Sequence, residues 1–251
     1  MYFVALLLTL RGRDERSFCT PEEQHGISLA LLRLLCRADV SLHEEQITVA
    51  LLKSERQGVL ARLTLLAVRA DMPTTLLNLI TSQSPLQLGA RTYEVEAIDL
   101  VHPLWAGVGT WADVFPEKSG NFMRFSLATP LITREPGHSR NHDALPFPEP
   151  PLLFSHLFSR WQELAGPPLP CDEKNLVHAS GCMISDYRLY TVPVKKMEHP
   201  LIGYLGWLEC EYRTRNTATI VSLNALARLA FFTGIGYLAG QGMGVTSIKI
   251  S

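Results

Sequence analysis

Apolar residues recur along the first half of the chain at two spacings, one typical of strands and one typical of helices. Four runs rich in aliphatic and aromatic residues predict strands, at residues 1–11, 47–52, 59–68 and 92–101. Residues 20–38 predict a helix, because Thr20 is a good cap, Glu23 completes a capping box and apolar residues follow at helical spacing. A second, shorter helix is predicted over residues 73–82, with Pro73 in its first turn.

The second half repeats this order of elements. Strands are predicted at residues 122–132, 176–194, 201–213 and 245–250, and helices at 151–164 and 218–233. The order is that of the ferredoxin-like βαββαβ unit. The sequence therefore predicts an α+β protein of two tandem ferredoxin-like domains, residues 1–118 and 119–251. A stretch rich in Gly and Trp, residues 103–120, is predicted to connect the halves.

The composition is that of a folded globular protein, since 47% of the 251 residues are hydrophobic and 19% are charged. Residues 1–120 carry 11 basic and 14 acidic side chains, and residues 121–251 carry 12 and 10. This balance argues against a strongly basic, non-specific nucleic-acid binder but permits a local basic groove. Arg outnumbers Lys by 17 to 6, and Arg is the side chain that binds phosphates in a bidentate way.

The cysteines and the N-terminus both predict a cytoplasmic protein. The five cysteines are Cys19, Cys36, Cys171, Cys182 and Cys210. Their odd number and wide spacing argue against a zinc site or a disulfide framework and suit a reducing compartment. The apolar N-terminus, MYFVALLLTL, has no basic region before it and no cleavage site after it, so it is predicted to be a buried strand. The apolar stretch at 229–245 is rich in glycine and falls short of a spanning helix.

A glycine-rich segment near the C-terminus is the strongest local signal. Its sequence, GIGYLAGQGMG, contains Gly234, Gly236, Gly240, Gly242 and Gly244. So many glycines predict a backbone that adopts positive φ or approaches another group closely. The segment follows a helix and precedes a strand, the reverse of a dinucleotide-binding loop, which excludes a nicotinamide site. We expect both a tight structural wrap and amides that hold an anionic group such as a phosphate.

With the preceding residues 230–233 (AFFT), this segment resembles the C-terminal signature of the RAMP superfamily. It is most similar to that of the CRISPR-associated endoribonucleases of the Cas6 type, which process precursor CRISPR RNA. Further segments agree with the resemblance: Leu42-His43-Glu44, His25-Gly26, residues 151–161 and residues 202–206. The resemblance implies two ferredoxin-like domains, in agreement with the predicted order of elements.

The resemblance implies cleavage of RNA within each CRISPR repeat without a metal ion or a cofactor. The 2′-hydroxyl of the RNA attacks the adjacent phosphate, which gives a 2′,3′-cyclic phosphate and a 5′-hydroxyl. Histidine suits both proton transfers, because its pKa lies near the working pH. The resemblance assigns His43 as the principal acid–base residue and His25 as its partner. From the residues alone, His43 is more simply an exposed loop histidine near a helix C-terminus.

Five arginines are candidate phosphate contacts, namely Arg134, Arg140, Arg213, Arg215 and Arg228. Each of them is also explained as a solvated surface charge. The implied ligand is CRISPR repeat RNA or precursor crRNA, and the candidate partners are other CRISPR effector subunits and a second copy of the chain, with no membrane. The sequence leaves open whether the chain forms a homodimer.

One departure from the family pattern keeps an alternative open. Several relatives carry a basic residue soon after the Leu-His-Glu segment, whereas here no Lys follows His43 until Lys53. The alternative is a non-catalytic RNA-binding RAMP subunit of a CRISPR effector complex. A further alternative is an unrelated ferredoxin-like metabolic enzyme whose glycine-rich segment binds a nucleotide. An assay with repeat RNA distinguishes the three functions. The endoribonuclease would cut the RNA, the non-catalytic subunit would bind it without cutting, and the metabolic enzyme would not bind it.

Overall fold

The computed structural model divides into two compact units, residues 1–110 with 240–242, and residues 111–239 with 243–251. It describes residues 1–12, 30–31, 33, 46–54, 58–88, 91–115, 119–134, 145, 147–172, 176, 181–194 and 201–251. The glycine-rich segment therefore contributes residues to both units.

The first unit is built on a six-stranded antiparallel sheet. Its elements are β1 (Tyr2–Gly12), β2 (Ile47–Ser54), β3 (Gly58–Val68), α1 (Met72–Ser82), β4 (Leu86–Leu88), β5 (Arg91–Asp99) and β6 (Gly107–Thr110). The strand order is β2-β3-β1-β5-β4, and β6 pairs with β1. Four of these strands, in the order β2-β3-β1-β5, follow the ferredoxin-like order, in which the first strand lies between the third and the last.

The core of the first unit lies on the α1 side of this sheet. Leu6, Leu8 and Leu10 alternate along β1 on one face, because side chains of a strand point to opposite faces in turn. Leu76 and Ile80, one helical turn apart in α1, pack into the same cluster. The other face of β1 is also buried, so this strand is apolar almost throughout, as its sequence predicts.

The second unit repeats the arrangement with a four-stranded antiparallel sheet. Its elements are α2 (Trp111–Val114), β7 (Phe122–Leu131), α3 (Pro150–Glu163), β8 (Cys182–Val194), β9 (Leu201–Tyr212), α4 (Thr217–Thr233) and β10 (Thr246–Ile250). The order β10-β7-β9-β8 again places the first strand between the third and the last. The predicted α+β architecture of tandem ferredoxin-like units is therefore confirmed.

Helix α4 is the most deeply buried helix among the described residues, which explains its nearly continuous apolar sequence. It begins at the cap Asn216, whose side chain accepts hydrogen bonds from the backbone N–H groups of Ala218 and Thr219 at 3.0 and 3.3 Å. Further along, the fully buried Asn224 accepts from the backbone N–H of Gly120 at 2.9 Å and donates to its carbonyl oxygen at 3.0 Å. This pair of bonds holds the chain just before β7 against the helix.

Replacing Asn224 with alanine is expected to lower the free energy of unfolding by about 1–3 kcal/mol, because the polar groups of Gly120 lose buried partners. Equilibrium unfolding in urea measures the change. The matched control is Thr217→Ala at the exposed start of the same helix, which should change stability by less than about 0.5 kcal/mol. Equal stability of Asn224→Ala and the natural chain would contradict this role.

The structure differs from the predicted elements at two places. The connection at 103–120 contains β6 and α2, which the pattern missed because glycine has low strand propensity and β6 is held by pairing with β1. The strand predicted from residue 176 begins at Cys182, and Leu176 itself is helical. Of the helix predicted at 20–38, the structure describes residues 30, 31 and 33, all helical.

In the described part of the chain, no helix combines the length and apolar character needed to cross a membrane.

Candidate functional site

The glycine-rich segment joins the end of α4 to β10 and turns sharply within the second unit. Gly236 and Gly244 have φ angles of 87° and 61°, which L-residues with side chains rarely adopt. A Cβ atom at Gly236 would lie 2.5 Å from the carbonyl oxygen of Ile132, and one at Gly244 would overlap the carbonyl oxygen of Ile235. Both positions therefore require glycine for packing alone.

Backbone hydrogen bonds fasten this segment to the end of β7. The N–H groups of Tyr237 and Gly244 donate to the carbonyl oxygens of Ile132 and Pro130 at 2.7 and 2.9 Å. The N–H of Ile235 donates to the carbonyl oxygen of Gly244 at 2.9 Å, within the segment itself. Since these amides serve the fold, any anion-binding role falls on the other amides of the segment.

The tip of the segment, residues 240–242, differs from the rest. Gly240 is exposed, and a Cβ atom there would meet nothing within 4 Å. Gly242 is buried, and a Cβ atom there would lie 3.1 Å from the Cα atom of Ala50 in β2. Gly240 is thus the glycine of the segment that the fold itself does not require, and the space beside its Cα atom is open.

A buried cation lies beside this tip. Arg62 in β3 is the cross-strand partner of Ala50 and is only 1% exposed. Its Nε atom donates to the carbonyl oxygen of Trp105 at 2.7 Å, and burial lowers the pKa of its guanidinium to about 9. Arg62 therefore keeps its positive charge at neutral pH. Sequence reasoning missed this residue, although a lone Arg in the apolar run VLARLTLLAV was an available signal.

The structure brings Arg134 next to the glycine-rich segment. Its guanidinium donates from Nη1 to the hydroxyl of Tyr237 at 3.2 Å, and its Cζ lies 5.1 Å from the centre of that ring. The backbone carbonyl of Arg134 lies 3.4 Å from Nε2 of His156 in α3. Tyr237 in turn packs, with Leu238 and Met243, on a small apolar cluster at the end of the second sheet. Arg134 is therefore held as a cation at the side of the segment.

The remaining candidate arginines that the structure describes are Arg213, Arg215 and Arg228. Arg213 and Arg215 are exposed near the start of α4, and Arg213 forms an ion pair with Glu211 at 3.6 Å. The glycine-rich segment follows the end of this 17-residue helix, which separates the two places by about 24 Å. Arg228, near the end of α4, is half-buried, and its Nε atom has no hydrogen-bond partner among the described residues. The candidate phosphate contacts thus do not form a single cluster.

His25, His43 and Arg140 lie outside the described residues. Within the described ranges, no three His, Cys, Asp or Glu side chains come together in a way that could hold a metal ion. Of the described histidines, His102 accepts a hydrogen bond at Nδ1 from the backbone N–H of Leu104, at 3.2 Å. Taken unit by unit, the described candidates are Arg134 beside the glycine-rich segment in the second unit and, in the first unit, the buried Arg62 and residues 240–242.

Residues 125–246, from β7 to the start of β10, match the family model of the CRISPR-associated endoribonuclease Cas6. The matched region includes the whole glycine-rich segment. No curated protein matches the chain in sequence.

Solved structures similar to this chain extend over nearly its whole length. One is a Cas6 product complex, with a TM-score of 0.74 and 24% identity over 99% of this chain and 100% of that one. Thermus thermophilus Cas6 has a TM-score of 0.75 and 21% identity, covering 98% of each chain. A RAMP protein described as binding different RNA substrates has a TM-score of 0.61 and 13% identity, over 98% of this chain and 99% of that one. At these identities the likeness establishes the fold.

Proposed function

We propose that this chain is an endoribonuclease of the Cas6 type that binds CRISPR repeat RNA and cuts precursor crRNA within each repeat. The observation that carries the proposal is the family match over residues 125–246, since it includes the glycine-rich segment and not only the common fold. A product complex among the similar Cas6 structures supports the same activity.

The proposed reaction is a transesterification within the RNA. A base removes the proton of the 2′-hydroxyl at the cut site, and the 2′-oxygen attacks the adjacent phosphorus in line with the leaving 5′-oxygen. An acid gives a proton to that 5′-oxygen as the P–O bond breaks. The upstream product ends in a 2′,3′-cyclic phosphate and the downstream product begins with a 5′-hydroxyl. Proton transfer and charge stabilisation suffice for these steps, so the proposal needs neither a metal ion nor a cofactor.

His43 and His25 divide the two proton transfers in this proposal. An imidazole titrates near neutral pH, so it serves as either base or acid at the working pH. His25 falls in the first turn of the predicted helix, where the helix dipole disfavours the imidazolium and so favours a neutral base. His43 is then the principal acid–base residue. Both belong to the proposed N-terminal domain, residues 1–118, and the glycine-rich segment belongs to the proposed domain 119–251.

The glycine-rich segment and the arginines supply RNA contacts in this proposal. Gly240 allows the RNA backbone to approach the exposed tip, because no protein atom fills the space where a side chain would lie. Arg134 presents a cation at the side of the segment, held by Tyr237. The more distant candidates contact phosphates farther along the RNA: Arg140, Arg213, Arg215 and Arg228.

A second candidate function is a non-catalytic RNA-binding subunit of a CRISPR effector complex. The observation that favours it is the absence of a basic residue between His43 and Lys53 in the sequence. Without such a group, stabilisation of the charged transition state falls on the backbone amides and the arginines. In both cases we propose that the bound RNA is passed to, or retained with, other CRISPR effector subunits.

An assay with end-labelled repeat RNA from the arrays of the source organism tests the proposal. Enzyme in excess over RNA, in buffer with EDTA, is expected to give one product length that grows with time. Tight binding with no product would favour the non-catalytic subunit. Neither binding nor cleavage on any repeat would contradict both functions.

A further inference from the structure

The sheet of the second unit has one face covered by helices. Phe125 in β7 and Tyr212 in β9 both contact Phe154 of α3, with ring centroids 6.2 and 5.9 Å apart. Leu208 is the cross-strand partner of Phe125 and is fully buried on this same face. Because side chains alternate along a strand, Trp207 points to the opposite face, which we call the open face.

Aromatic and basic side chains lie together on the open face. Trp207 is the cross-strand partner of Arg188 in β8 and of Ser126 in β7. Tyr190 lies two residues beyond Arg188 on the same face, and its side chain is 59% exposed. Trp207 and Tyr190 are diagonal neighbours across the two strands, a relation that leaves their residues about 7–8 Å apart and within reach of aromatic side chains. Two aromatic rings thus flank an exposed guanidinium.

A second row of charges borders these aromatics. Arg124 lies with its Cζ atom 4.1 Å above the centre of the Trp207 ring and forms an ion pair with Glu209 at 3.1 Å. Lys249 of β10 is opposite Arg124, and Asp186 of β8 is opposite Glu209. The row therefore has a basic side on β10 and β7 and an acidic side on β9 and β8. Around Trp207, the three cations Lys249, Arg124 and Arg188 therefore outnumber the two carboxylates Glu209 and Asp186.

We propose that the open face binds a single-stranded segment of RNA; this rests on the proposed function. Two bases stack on Trp207 and Tyr190, and the phosphate between them contacts Arg188. Aromatic rings interleaved with cations on an open four-stranded sheet fit unpaired bases, since every base has a face that stacks and every nucleotide carries a negative charge. A duplex would keep its bases out of reach of both rings. The segment that binds here is therefore an unpaired stretch of the repeat or its flank.

Charge complementarity favours RNA over a protein partner at this face. A purely apolar protein surface would leave Arg188 desolvated without a partner, which costs free energy, whereas a phosphate satisfies it. Arg124 already covers one face of the Trp207 ring, so an incoming base stacks next to a cation and adds to the same interaction. We call this set, Trp207, Tyr190, Arg188 and Arg124, the Trp207 platform.

Fluorescence anisotropy with a labelled single-stranded RNA oligonucleotide, uridine only, tests the platform on the full chain. Trp207→Ala and Tyr190→Ala are each expected to weaken binding about tenfold, the loss of one stacked base. Tyr187→Ala is the matched control, because Tyr187 is on the same strand, 55% exposed, and faces the helix side as the partner of Leu208. It should bind like the natural chain. Thermal unfolding of each variant shows whether the fold is intact.

Trp207→Phe separates stacking from a structural role. A phenylalanine ring still stacks, so this variant is expected to bind RNA within a few-fold of the natural chain. The quenching of intrinsic tryptophan fluorescence by RNA should be mostly lost in it. Unchanged affinity in both alanine variants, or an equal loss in Tyr187→Ala, would overturn the platform. Equally tight binding of a duplex of the same length would overturn the single-strand preference. Because these readouts are affinities for an uncut oligonucleotide, they stand even if cleavage of repeat RNA fails.

Discussion

His43→Ala is expected to abolish detectable cleavage of repeat RNA and to leave RNA affinity within a few-fold of the natural chain. Removing a group that transfers a proton in the transition state costs about 10²–10⁴-fold in rate, whereas one loop histidine contributes little to binding of a long RNA. His25→Ala removes the histidine that carries out the other proton transfer, so it should slow the same chemical step. Single-turnover cleavage, at an enzyme concentration above the Kd of the enzyme–RNA complex, isolates the chemical step from binding.

The control for this experiment is His102→Asn, which changes a histidine whose ring is engaged with the backbone of its own loop. It is expected to cleave at the natural rate. The rate of the natural enzyme should depend on pH as a bell-shaped curve, and one limb of that curve should be lost in His25→Ala, which retains measurable cleavage. Undiminished cleavage by His43→Ala would contradict the assignment of the acid–base role.

The second large effect is expected in the glycine-rich segment. Gly244→Ala should lower the free energy of unfolding by about 1–3 kcal/mol or more, because its φ of 61° is strained for alanine and the added Cβ overlaps a backbone oxygen. Gly240→Ala, in open space, should leave stability within about 0.5 kcal/mol. Urea unfolding of the two variants measures the contrast within one segment.

The same pair separates packing from RNA contact. Gly240→Ala is expected to weaken binding of repeat RNA although the fold is intact, because a methyl group then stands where the RNA backbone approaches. If Gly240→Ala binds RNA like the natural chain, the tip is not a contact. If Gly244→Ala is as stable as the natural chain, the account of the segment as a packed wrap is wrong.

Much of the fold follows from periodicity alone. The strand-like and helical spacings predict the order of elements in both units. They do so because the apolar side chains of each strand and helix recur on the face that packs against the core of its unit. Strand β6 could not be predicted in this way, since GVGT has little apolar pattern and its pairing with β1 is set by the rest of the unit. The start of β8 was also misplaced, since the apolar pattern continues through Leu176 although that residue is helical.

The site was less predictable than the fold. Composition marks the glycine-rich segment, but not which glycines the backbone needs, since that depends on contacts with Ile132 and Ala50. The pairing of Arg134 with Tyr237 joins residues far apart in the chain, and no local pattern encodes it. Similarly, the alternation in β9 places Trp207 on one face, but only the register with β8 shows that Arg188 lies opposite it.

A single deoxy substitution tests most directly whether the RNA is cut by its own 2′-hydroxyl. Repeat RNA is compared with the same RNA carrying one 2′-deoxynucleotide at the cut site, both in excess EDTA. We expect both RNAs to bind equally and only the natural RNA to be cut, at one position, with a cyclic phosphate on the upstream product. Cleavage of the deoxy RNA at the same rate, or loss of all cleavage in EDTA, would contradict this mechanism.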